Sequence, residues 1–545
     1  MTGDPERTHM KWWGWGDPAK RAELGDVALA ALRDELGAAE PASRAALEQV
    51  ELPEAASLPP AIVEAVGPTS VLTDREQRLL RAAGRSYPDL VRLRGGRLEG
   101  APDAVVLPGT AAEVKRVLEI CMTEGIAVVP FGGGTSVVGG VDPARGGFER
   151  LISLDLGRLR DARVDRRSLT ATLGPGLRGP EAEAALAASG VTLGHFPQSF
   201  EYATIGGFAA TRSAGQASSG YGRFDALVTS IALAAPVGEL QTLETPHSAA
   251  GPALRELVVG SEGTLGVITG VAARVRPVPE QRRYEAWMAA DFESGGEVVR
   301  SLAQAGALPD VVRVSDRAET RISLALSGGQ GPRRALASAY LRLRGRLDGS
   351  LVVCGWEGDR DSVARRRALA TRRLRAAGAA PLGAAPGRAW ERGRYEGPYL
   401  RDELLDLGYL AETLETAHQW SRLGELYEKV GSAISEALAR QGTPGLVMCH
   451  LSHAYADGAS LYFTFLARAS AGDELEQWRA VKTAACDAIV EAGGTITHHH
   501  GVGRDHLPYM RREIGELGVE ALRAAKDRFD PAGIMNPGKL IPDSA

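Results

Sequence analysis

Three consecutive histidines near the end of the chain are the strongest candidates for chemistry in this sequence. His498, His499 and His500 stand directly before a glycine-rich turn, and imidazole is well suited to moving protons near neutral pH. On a regular strand the first and third would face one way and the second the other, so the three converge only where the chain bends. Residues 449–453 add one cysteine and two histidines, which keeps a metal site open as a competing interpretation. Because no carboxylate or cysteine completes a known ligand spacing, we predict proton transfer and no bound metal.

A tyrosine and two arginines could complement the histidines. Tyr462 lies between Leu461 and Phe463 in a strand-like apolar run, where its hydroxyl needs a polar partner; a plain core position is the alternative. Arg401 could hold a phosphate through two parallel hydrogen bonds. Arginine is abundant throughout the chain, so Arg401 and Arg313 could equally be ordinary surface residues.

A glycine-rich loop in the first half of the chain is a candidate anion site. Pro130–Ser136 reads Pro-Phe-Gly-Gly-Gly-Thr-Ser and directly follows a predicted strand, Ala127–Val129. Glycines permit positive φ and let successive amide N–H groups converge on an anion such as a pyrophosphate. The loop is neither a Walker A motif nor a Gly-x-Gly-x-x-Gly motif. A tight turn between two strands is the plain alternative.

A second glycine motif is a literal Gly-x-Gly-x-x-Gly at Gly174–Gly179, between the predicted strand Leu169–Leu173 and a helix that opens at Pro180. A Rossmann-type site also needs an acidic residue about 20 positions later, at the end of a second strand. Glu201 stands near that distance, but its surroundings are not strand-like. We therefore interpret the motif as a strand-to-helix turn and not as a dinucleotide site.

Two further segments are dense in small and polar residues. These are 204–215 and 260–268. Small side chains let the backbone approach a large planar cofactor and expose N–H groups to it. Each segment is a weak signal alone, but together with Pro130–Ser136 they favour a cofactor site.

The composition is that of an ordinary globular protein. The chain has 545 residues, of which 44% are hydrophobic and 24% charged, and its formal net charge is −5. This balance argues against a globally basic nucleic-acid binder, so no nucleic-acid partner is expected. Four widely separated cysteines indicate reduced, intracellular usage. No apolar run is long enough for a membrane span and no signal peptide is visible, so a cytoplasmic location is expected.

The elements that must position the candidate residues fall into four predicted parts. Short strands alternate with helices and glycine-rich turns in the second part, whereas long Arg/Ala/Leu/Glu segments in the third predict helices at 332–347, 360–377 and 411–440. The parts are an N-terminal helical and extended segment (1–95), a cofactor-binding domain (96–278), a cap or substrate domain (279–485) and a C-terminal segment that returns to the cofactor domain (486–545).

Segments 130–136, 198–204 with 211–214, and 262–268 resemble the FAD-binding segments of the vanillyl-alcohol-oxidase-type flavoprotein family. The closing segment 530–538 is similar to that family's C-terminal signature. The resemblance implies an α+β fold with a two-subdomain FAD-binding domain, an α+β cap domain and FAD as cofactor. The residues it assigns to FAD are Pro130, Phe131, Gly132, Gly133, Gly134, Thr135, Ser136, Gln198, Ser199, Phe200, Glu201, Tyr202, Ala203, Thr204, Thr211, Arg212, Ser213, Ala214, Glu262, Gly263, Thr264, Leu265, Gly266, Val267 and Ile268.

Within that family, four segments resemble the alkyldihydroxyacetonephosphate synthases. They are the Trp-rich segment 11–17, the segment 398–402, the strand 457–465 and the triple histidine, where the related D-2-hydroxy-acid dehydrogenases usually carry Glu-His-Gly. Packing alone is the plain interpretation of the three tryptophans. The resemblance implies that Tyr462 and the histidine group His498, His499 and His500 are catalytic, that Arg313 is needed for activity and that Arg401 binds the substrate phosphate.

The implied reaction exchanges the acyl group of acyl-dihydroxyacetone phosphate for a long-chain alcohol, with no net redox change. Lipid-like substrates would bring peripheral membrane contact, and the family implies a homodimer. An FAD-dependent dehydrogenase or oxidase of a D-2-hydroxy acid or another alcohol is the alternative. A non-catalytic flavin-binding protein is a third hypothesis, against which the intact tyrosine, arginine and histidines argue.

Overall fold

The structure is a computed structural model that describes residues 10–98, 100–326 and 332–543. The first part of the chain wraps around the two larger domains. Its short strand pairs with the first strand of the next domain, and Leu79, Tyr87 and Leu90 share a core with the cap sheet. The elements of this part are α1 (Asp26–Leu36), α2 (Pro60–Val66), β1 (Val71–Leu72), α3 (Arg75–Leu80) and α4 (Tyr87–Arg94).

The cofactor-binding domain contains two main sheets, in agreement with the two subdomains that its resemblance implies. The elements are β2 (Ala104–Val106), α5 (Ala111–Glu124), β3 (Ile126–Phe131), β4 (Arg150–Asp155), β5 (Ala162–Asp165), β6 (Thr170–Leu173), α6 (Gly179–Ala187), β7 (Val191–Thr192), α7 (Ile205–Ala210), α8 (Ser218–Tyr221), α9 (Phe224–Leu227), β8 (Val228–Ala235), β9 (Gly238–Gln241), α10 (Leu254–Val258), β10 (Val267–Arg274) and β11 (Arg276–Pro277). The first sheet has the order β1-β2-β4-β3 with parallel pairing of β2, β4 and β3, and the second has the order β5-β6-β10-β8-β9 with antiparallel pairing.

The cap domain is one antiparallel sheet of seven strands with helices packed on it. The elements are β12 (Gln281–Ala289), α11 (Phe292–Gln304), β13 (Val311–Ser315), α12 (Arg317–Leu326), α13 (Pro332–Leu343), β14 (Ser350–Gly358), α14 (Arg360–Ala376), β15 (Ala380–Gly383), α15 (Ala384–Gly393), α16 (Gly397–Asp406), β16 (Tyr409–Gln419), α17 (Trp420–Arg440), β17 (Gly445–Ser452), β18 (Gly458–Arg468) and α18 (Glu474–Glu491). The strand order is β15-β12-β14-β13-β17-β18-β16.

The predicted helix over 411–440 is wrong in its first part, because residues up to Gln419 belong to strand β16 and the helix begins at Trp420. Ala, Leu and Glu in this stretch favour a helix, but intrinsic propensity is a weak determinant that tertiary context often overrides. Pairing with β18 along the whole strand, from Tyr409 opposite Arg468 to Gln419 opposite Gly458, overrides it.

The C-terminal segment returns to the cofactor-binding domain. After α19 (Met510–Phe529) the chain runs alongside β3, where the Val128 N–H donates to the Ile534 carbonyl and the Asn536 N–H donates to the Val128 carbonyl, both at 2.8 Å. Among the described helices, none is both long and apolar enough to cross a membrane.

Candidate active site

A cavity of about 440 Å³ lies between the glycine-rich segments and one face of the cap sheet. Most of the residues assigned to FAD line it: Pro130, Phe131, Gly132, Gly133, Gly134, Thr135, Ser136, Gln198, Ser199, Ala203, Thr204, Thr211, Ser213, Ala214, Glu262, Gly263, Gly266 and Ile268. The opposite wall comes from β13, α16 and the three strands β16, β17 and β18. The structure thus brings together segments that are far apart in the sequence.

The loop Pro130–Ser136 follows β3 and packs tightly against the segment before α7. A Cβ on Gly133 would collide with the Tyr202 carbonyl oxygen, and one on Gly132 with the Thr204 hydroxyl, so glycine is required by close approach. Within the described chain, the N–H groups of Gly133, Gly134 and Thr135 donate no hydrogen bond to another protein group. Such a run of free amide N–H groups beside a cavity is suited to binding an anion.

The remaining residues assigned to FAD use their side chains elsewhere. Phe200 stacks on Tyr395, Glu201 accepts from the Tyr399 hydroxyl, and Tyr202 packs against Trp15. For these residues direct contact with FAD stays a prediction, as it does for four more: Arg212 pairs with Asp225 and Glu256, Thr264 donates to the Ser261 carbonyl, and Leu265 and Val267 are core residues.

The Gly-x-Gly-x-x-Gly motif at Gly174–Gly179 is a packing turn between β6 and α6. A Cβ on Gly174 would collide with the Leu159 carbonyl oxygen, and one on Gly176 with that of Leu156. The motif contributes no residue to the cavity wall. Its glycines are therefore explained by close packing of the chain.

Three neighbouring strands place a row of polar residues on the cavity side of the cap sheet. Tyr462 on β18 lies directly opposite Glu415 on β16 and His450 on β17, and directly opposed residues share a face. The Tyr462 and His450 rings stack with centroids 4.8 Å apart. Burial raises the pKa of Tyr462 to about 12, although hydrogen bonding with Thr413 acts in the opposite direction. Tyr462 is therefore a neutral phenol at physiological pH.

The three histidines lie in a bend, which turns two of them toward the cavity. His499 and His500 line the cavity, whereas His498 turns away and its Nε2 lies 2.8 Å from the Tyr455 hydroxyl. Burial lowers the pKa of His499 to about 4 and also lowers that of His500, with the Glu415 carboxylate acting in the opposite direction in both. The two rings facing the cavity are thus neutral at pH 7 and able to accept a proton.

The Glu415 carboxylate accepts hydrogen bonds from this bend, and sequence reasoning did not identify Glu415 as a site residue. The fully buried carboxylate accepts hydrogen bonds from the amide N–H groups of His498, His499 and His500, the last two at 3.0 and 2.7 Å, and from the Thr497 hydroxyl at 2.8 Å. Glu415, His498 and His499 have the composition and proximity of a metal cluster. However, the carboxylate oxygens are already used by four donors, so the geometry favours a hydrogen-bonded anchor over a metal ligand.

A second missed carboxylate, Glu319, links two residues of the cavity wall. It lies 2.7 Å from the Arg313 guanidinium and 3.0 Å from Nδ1 of His450. Burial alone would raise the pKa of Glu319, but these two neighbours hold it well below its usual range. Arg313 therefore reaches the cavity as part of an Arg313–Glu319–His450 chain.

Arg401 is half-buried in the cavity wall, and its buried Nε has no partner among the described residues. The carboxylate of the next residue, Asp402, is engaged elsewhere. It accepts the Trp15 N–H at 2.7 Å and lies 3.0 Å from the Lys11 ammonium and 3.6 Å from Arg94. The positive charge of Arg401 is thus left available to an anionic ligand.

The Trp-rich segment combines packing with a place in the cavity wall. Trp12 is part of the large core, and Trp13 is partly buried against it. Trp15 lines the cavity. The packing interpretation therefore holds for the segment, and Trp15 additionally contributes to the site.

Comparison with known proteins identifies the family. The FAD binding domain family matches residues 102–244, and the C-terminal domain family of FAD linked oxidases matches residues 278–540. The alkyldihydroxyacetonephosphate synthase of Dictyostelium discoideum is 34% identical over 484 residues, which cover 87% of this chain and 79% of that protein. The chain belongs to the alkyldihydroxyacetonephosphate synthase family. The synthase of Trypanosoma brucei brucei is also 34% identical, over 86% of this chain and 78% of that protein.

Solved structures agree with this assignment. A solved alkyldihydroxyacetonephosphate synthase superposes with a TM-score of 0.85 at 28% identity, over 98% of this chain and 99% of the other. The 4-ethylphenol oxidase of Gulosibacter chungangensis has a TM-score of 0.68 at 14% identity and covers 92% and 98%, which shows the fold alone. The predicted α+β fold of the vanillyl-alcohol-oxidase type, with its FAD-binding and cap domains, is confirmed.

This synthase-family protein is an FAD flavoprotein, and its cavity fits that cofactor. The free N–H groups after β3 suit a pyrophosphate. Gly207 also lines the cavity. A Cβ at that position would meet only the Thr204 hydroxyl, 3.4 Å away, so packing within the protein does not require this glycine and it leaves space for a cofactor. Glu262 accepts the Val502 and Gly503 N–H groups at 2.6 and 2.7 Å, which ties segment 262–268, predicted to bind FAD, to the C-terminal part.

Proposed function

We propose that this protein exchanges the acyl group of acyl-dihydroxyacetone phosphate for a long-chain alcohol, forming an ether lipid precursor without net redox change. The observation that supports it is the meeting, on one cavity, of a half-buried arginine whose Nε has no partner among the described residues, a half-buried tyrosine and two neutral imidazoles. This is the set that a phosphorylated substrate and a proton-transfer reaction need.

The residues divide the work. Arg401 binds the substrate phosphate, and Tyr462 together with His499 and His500 takes the proton of the entering alcohol. His498 supports His499 through the 3.1 Å contact between their Nδ1 atoms. Arg313 shapes the site through Glu319 and His450. When bound, FAD supplies the electronic activation of the dihydroxyacetone phosphate carbon, and the protein positions the reactants.

An apolar arm of the cavity supports a lipid substrate. The cavity wall includes Ile322, Leu326, Leu400, Leu404, Met448 and Leu466. In the sequence, exposed leucines lie in and after the helix that contributes Ile322 and Leu326 to this arm. They belong to α12, α13 and the following turn: Leu324, Leu326, Leu336, Leu343 and Leu347. Exposed apolar residues that follow a lipid-binding arm in the sequence suit peripheral contact with a membrane surface, which we include in the proposal. The homodimer and the cytoplasmic location stay predictions from the sequence.

Mass spectrometry of lipid products tests the proposal. FAD-loaded enzyme is incubated with palmitoyl-dihydroxyacetone phosphate and deuterated hexadecanol. We expect a deuterated alkyl ether and released fatty acid, with no oxidant consumed. Absence of ether, together with anaerobic bleaching of the flavin by a D-2-hydroxy acid, would instead identify the dehydrogenase of the alternative hypothesis. A relative of that kind is the glycolate oxidase subunit GlcD of Bacillus subtilis, 26% identical over 82% of this chain and 90% of that protein.

A further inference from the structure

We propose that Glu415 is the positioning residue of the proton-transfer group, holding the chain at 497–500 in the bend that turns His499 and His500 toward the cavity. This inference deepens the function proposed above and rests on it. Glu415 contributes nothing to the cavity wall itself, so its effect on the reaction must pass through the neighbouring histidines and tyrosine.

The contacts of the carboxylate show how the bend is held. Three successive amide N–H groups, those of His498, His499 and His500, converge on the two oxygens, and the Thr497 hydroxyl adds a fourth donor. Consecutive N–H groups that converge in this way form an anion-binding concavity. Hydrogen bonds to an ionised group are about twice as strong as neutral ones. A neutral amide at 415 would offer one acceptor oxygen and place an NH₂ group against the remaining donors.

The position of Glu415 in the sheet connects the bend to the tyrosine. Glu415 is directly opposite Tyr462 on the neighbouring strand, so the backbone that it anchors is fixed relative to the tyrosine ring. The His500 and Tyr462 ring centroids lie 5.6 Å apart and those of His499 and Tyr462 6.2 Å apart. Loss of the anchor would therefore change the distances within the reacting group.

The charge of Glu415 also favours one tautomer of the His499 and His500 imidazoles. Its oxygens lie 3.7 Å from Nδ1 of His499 and 3.6 Å from Nδ1 of His500. A carboxylate on that side favours a proton on Nδ1 and leaves Nε2 as the acceptor. The 3.1 Å contact between Nδ1 of His499 and Nδ1 of His498 agrees with this form, because one of the two nitrogens must donate.

Two substitutions separate the positioning role of Glu415 from its contribution to the stability of the fold. Glu415→Gln keeps the size of the side chain and removes the charge, whereas Glu415→Asp keeps the charge on a shorter side chain. Glu357→Gln is the matched control: Glu357 is also buried in the cap sheet and accepts the Tyr221 and Tyr284 hydroxyls at 2.9 and 2.8 Å, but it lies outside the cavity wall.

The measurements are kcat and KM of the FAD-loaded enzyme and hydrogen exchange of the 497–500 amides. For Glu415→Gln we expect kcat to fall about a hundredfold with KM nearly unchanged, since small misplacement of reacting groups has effects of this size. Amide exchange at 497–500 should accelerate, Glu415→Asp should recover part of kcat, and Glu357→Gln should leave both readouts as in the wild type.

Two results would overturn the inference. One is unchanged amide exchange at 497–500 in Glu415→Gln. The other is a kcat that stays within a few-fold of wild type while the melting temperature falls as in Glu357→Gln, which would leave Glu415 a purely structural residue. Hydrogen exchange does not depend on turnover, so a wild-type enzyme that makes no ether would refute the proposed function while the exchange result still decides the anchor.

Discussion

At the scale of single residues, the hydroxyl of Tyr462 carries the most specific prediction. Tyr462→Phe removes one oxygen from a ring that stacks on His450 in a buried row, so the fold and FAD binding should persist. General acid–base groups typically contribute a factor of about 10² to 10⁴. We therefore expect ether formation to fall by at least two orders of magnitude, measured as alkyl product per bound flavin.

A second half-buried tyrosine supplies the control. Tyr427 also packs near the cap sheet, with its hydroxyl 3.3 Å from Asp316, but it lies outside the cavity wall. Tyr427→Phe should retain full turnover. Retained turnover in Tyr462→Phe as well would contradict the assignment of the catalytic tyrosine.

Substitution of Arg401 tests the proposed phosphate site. Its guanidinium is buried, and Asp402 beside it is held by Lys11, Trp15 and Arg94. Hydrogen bonds to charged groups contribute about 1.5–3 kcal/mol, so Arg401→Ala should raise KM for the phosphorylated substrate by roughly 10- to 150-fold. Arg401→Lys should recover only part of this, because lysine lacks the two-pronged geometry. An effect confined to the fatty alcohol would place the phosphate elsewhere.

At the scale of elements, the glycine loop after β3 has a steric requirement that can be measured. Gly133→Ala would drive a Cβ into the Tyr202 carbonyl oxygen, and moving either backbone segment would open the FAD site. We expect protein with strongly reduced flavin content, read from the ratio of absorbance at about 450 and 280 nm. Gly424→Ala is the control, since nothing lies within 4 Å of that position in α17, where alanine favours the helix. Full flavin occupancy in Gly133→Ala would show that the loop tolerates displacement.

The elements also show what the sequence can and cannot predict. The glycine-rich segments were recognisable because close backbone approach restricts residue type locally, and Tyr462 and the histidines were recognisable by their chemistry and by resemblance. Glu415 lies in the stretch 411–440, which the sequence predicts as helix. Its contact with the histidine bend depends on the register of β16 against β18. Glu319 stands in α12 and meets His450 only through the packing of that helix against β17. Pairing between distant segments leaves no local signal, so these carboxylates could not be assigned from the sequence.

At the scale of the whole molecule, burial of histidine links folding to pH. Burial lowers the pKa of seven of the ten histidines, to about 4 for His499 and about 3 for His195 and His506. Below the ordinary value of about 6.5, the unfolded chain takes up protons that the folded protein does not. Each such histidine then removes about 1.4 kcal/mol of stability per pH unit until its folded pKa is reached.

Buried carboxylates oppose this effect. Burial raises the pKa of Glu262 and Asp505 to about 7, that of Asp316 to about 6, and that of Asp89 above its usual range. These groups stabilise the fold as pH falls, since the folded protein takes up the protons first. Burial raises the pKa values of Glu183 and Asp310 as well, so buried carboxylates offset part of the histidine effect, and we expect a net loss of stability as the pH falls below about 6.5.

The melting temperature of the FAD-loaded protein should therefore fall between pH 6.5 and 5 and change less between pH 7 and 8. Differential scanning calorimetry at constant ionic strength and saturating FAD measures this directly. His247→Gln, at an exposed position, should leave the slope unchanged, whereas His195→Gln, in the aromatic cluster with Phe208 and Phe224, should reduce it once its own effect at pH 8 is subtracted. A melting temperature that is constant down to pH 5 would contradict the prediction that the buried histidines outweigh the buried carboxylates in this pH range.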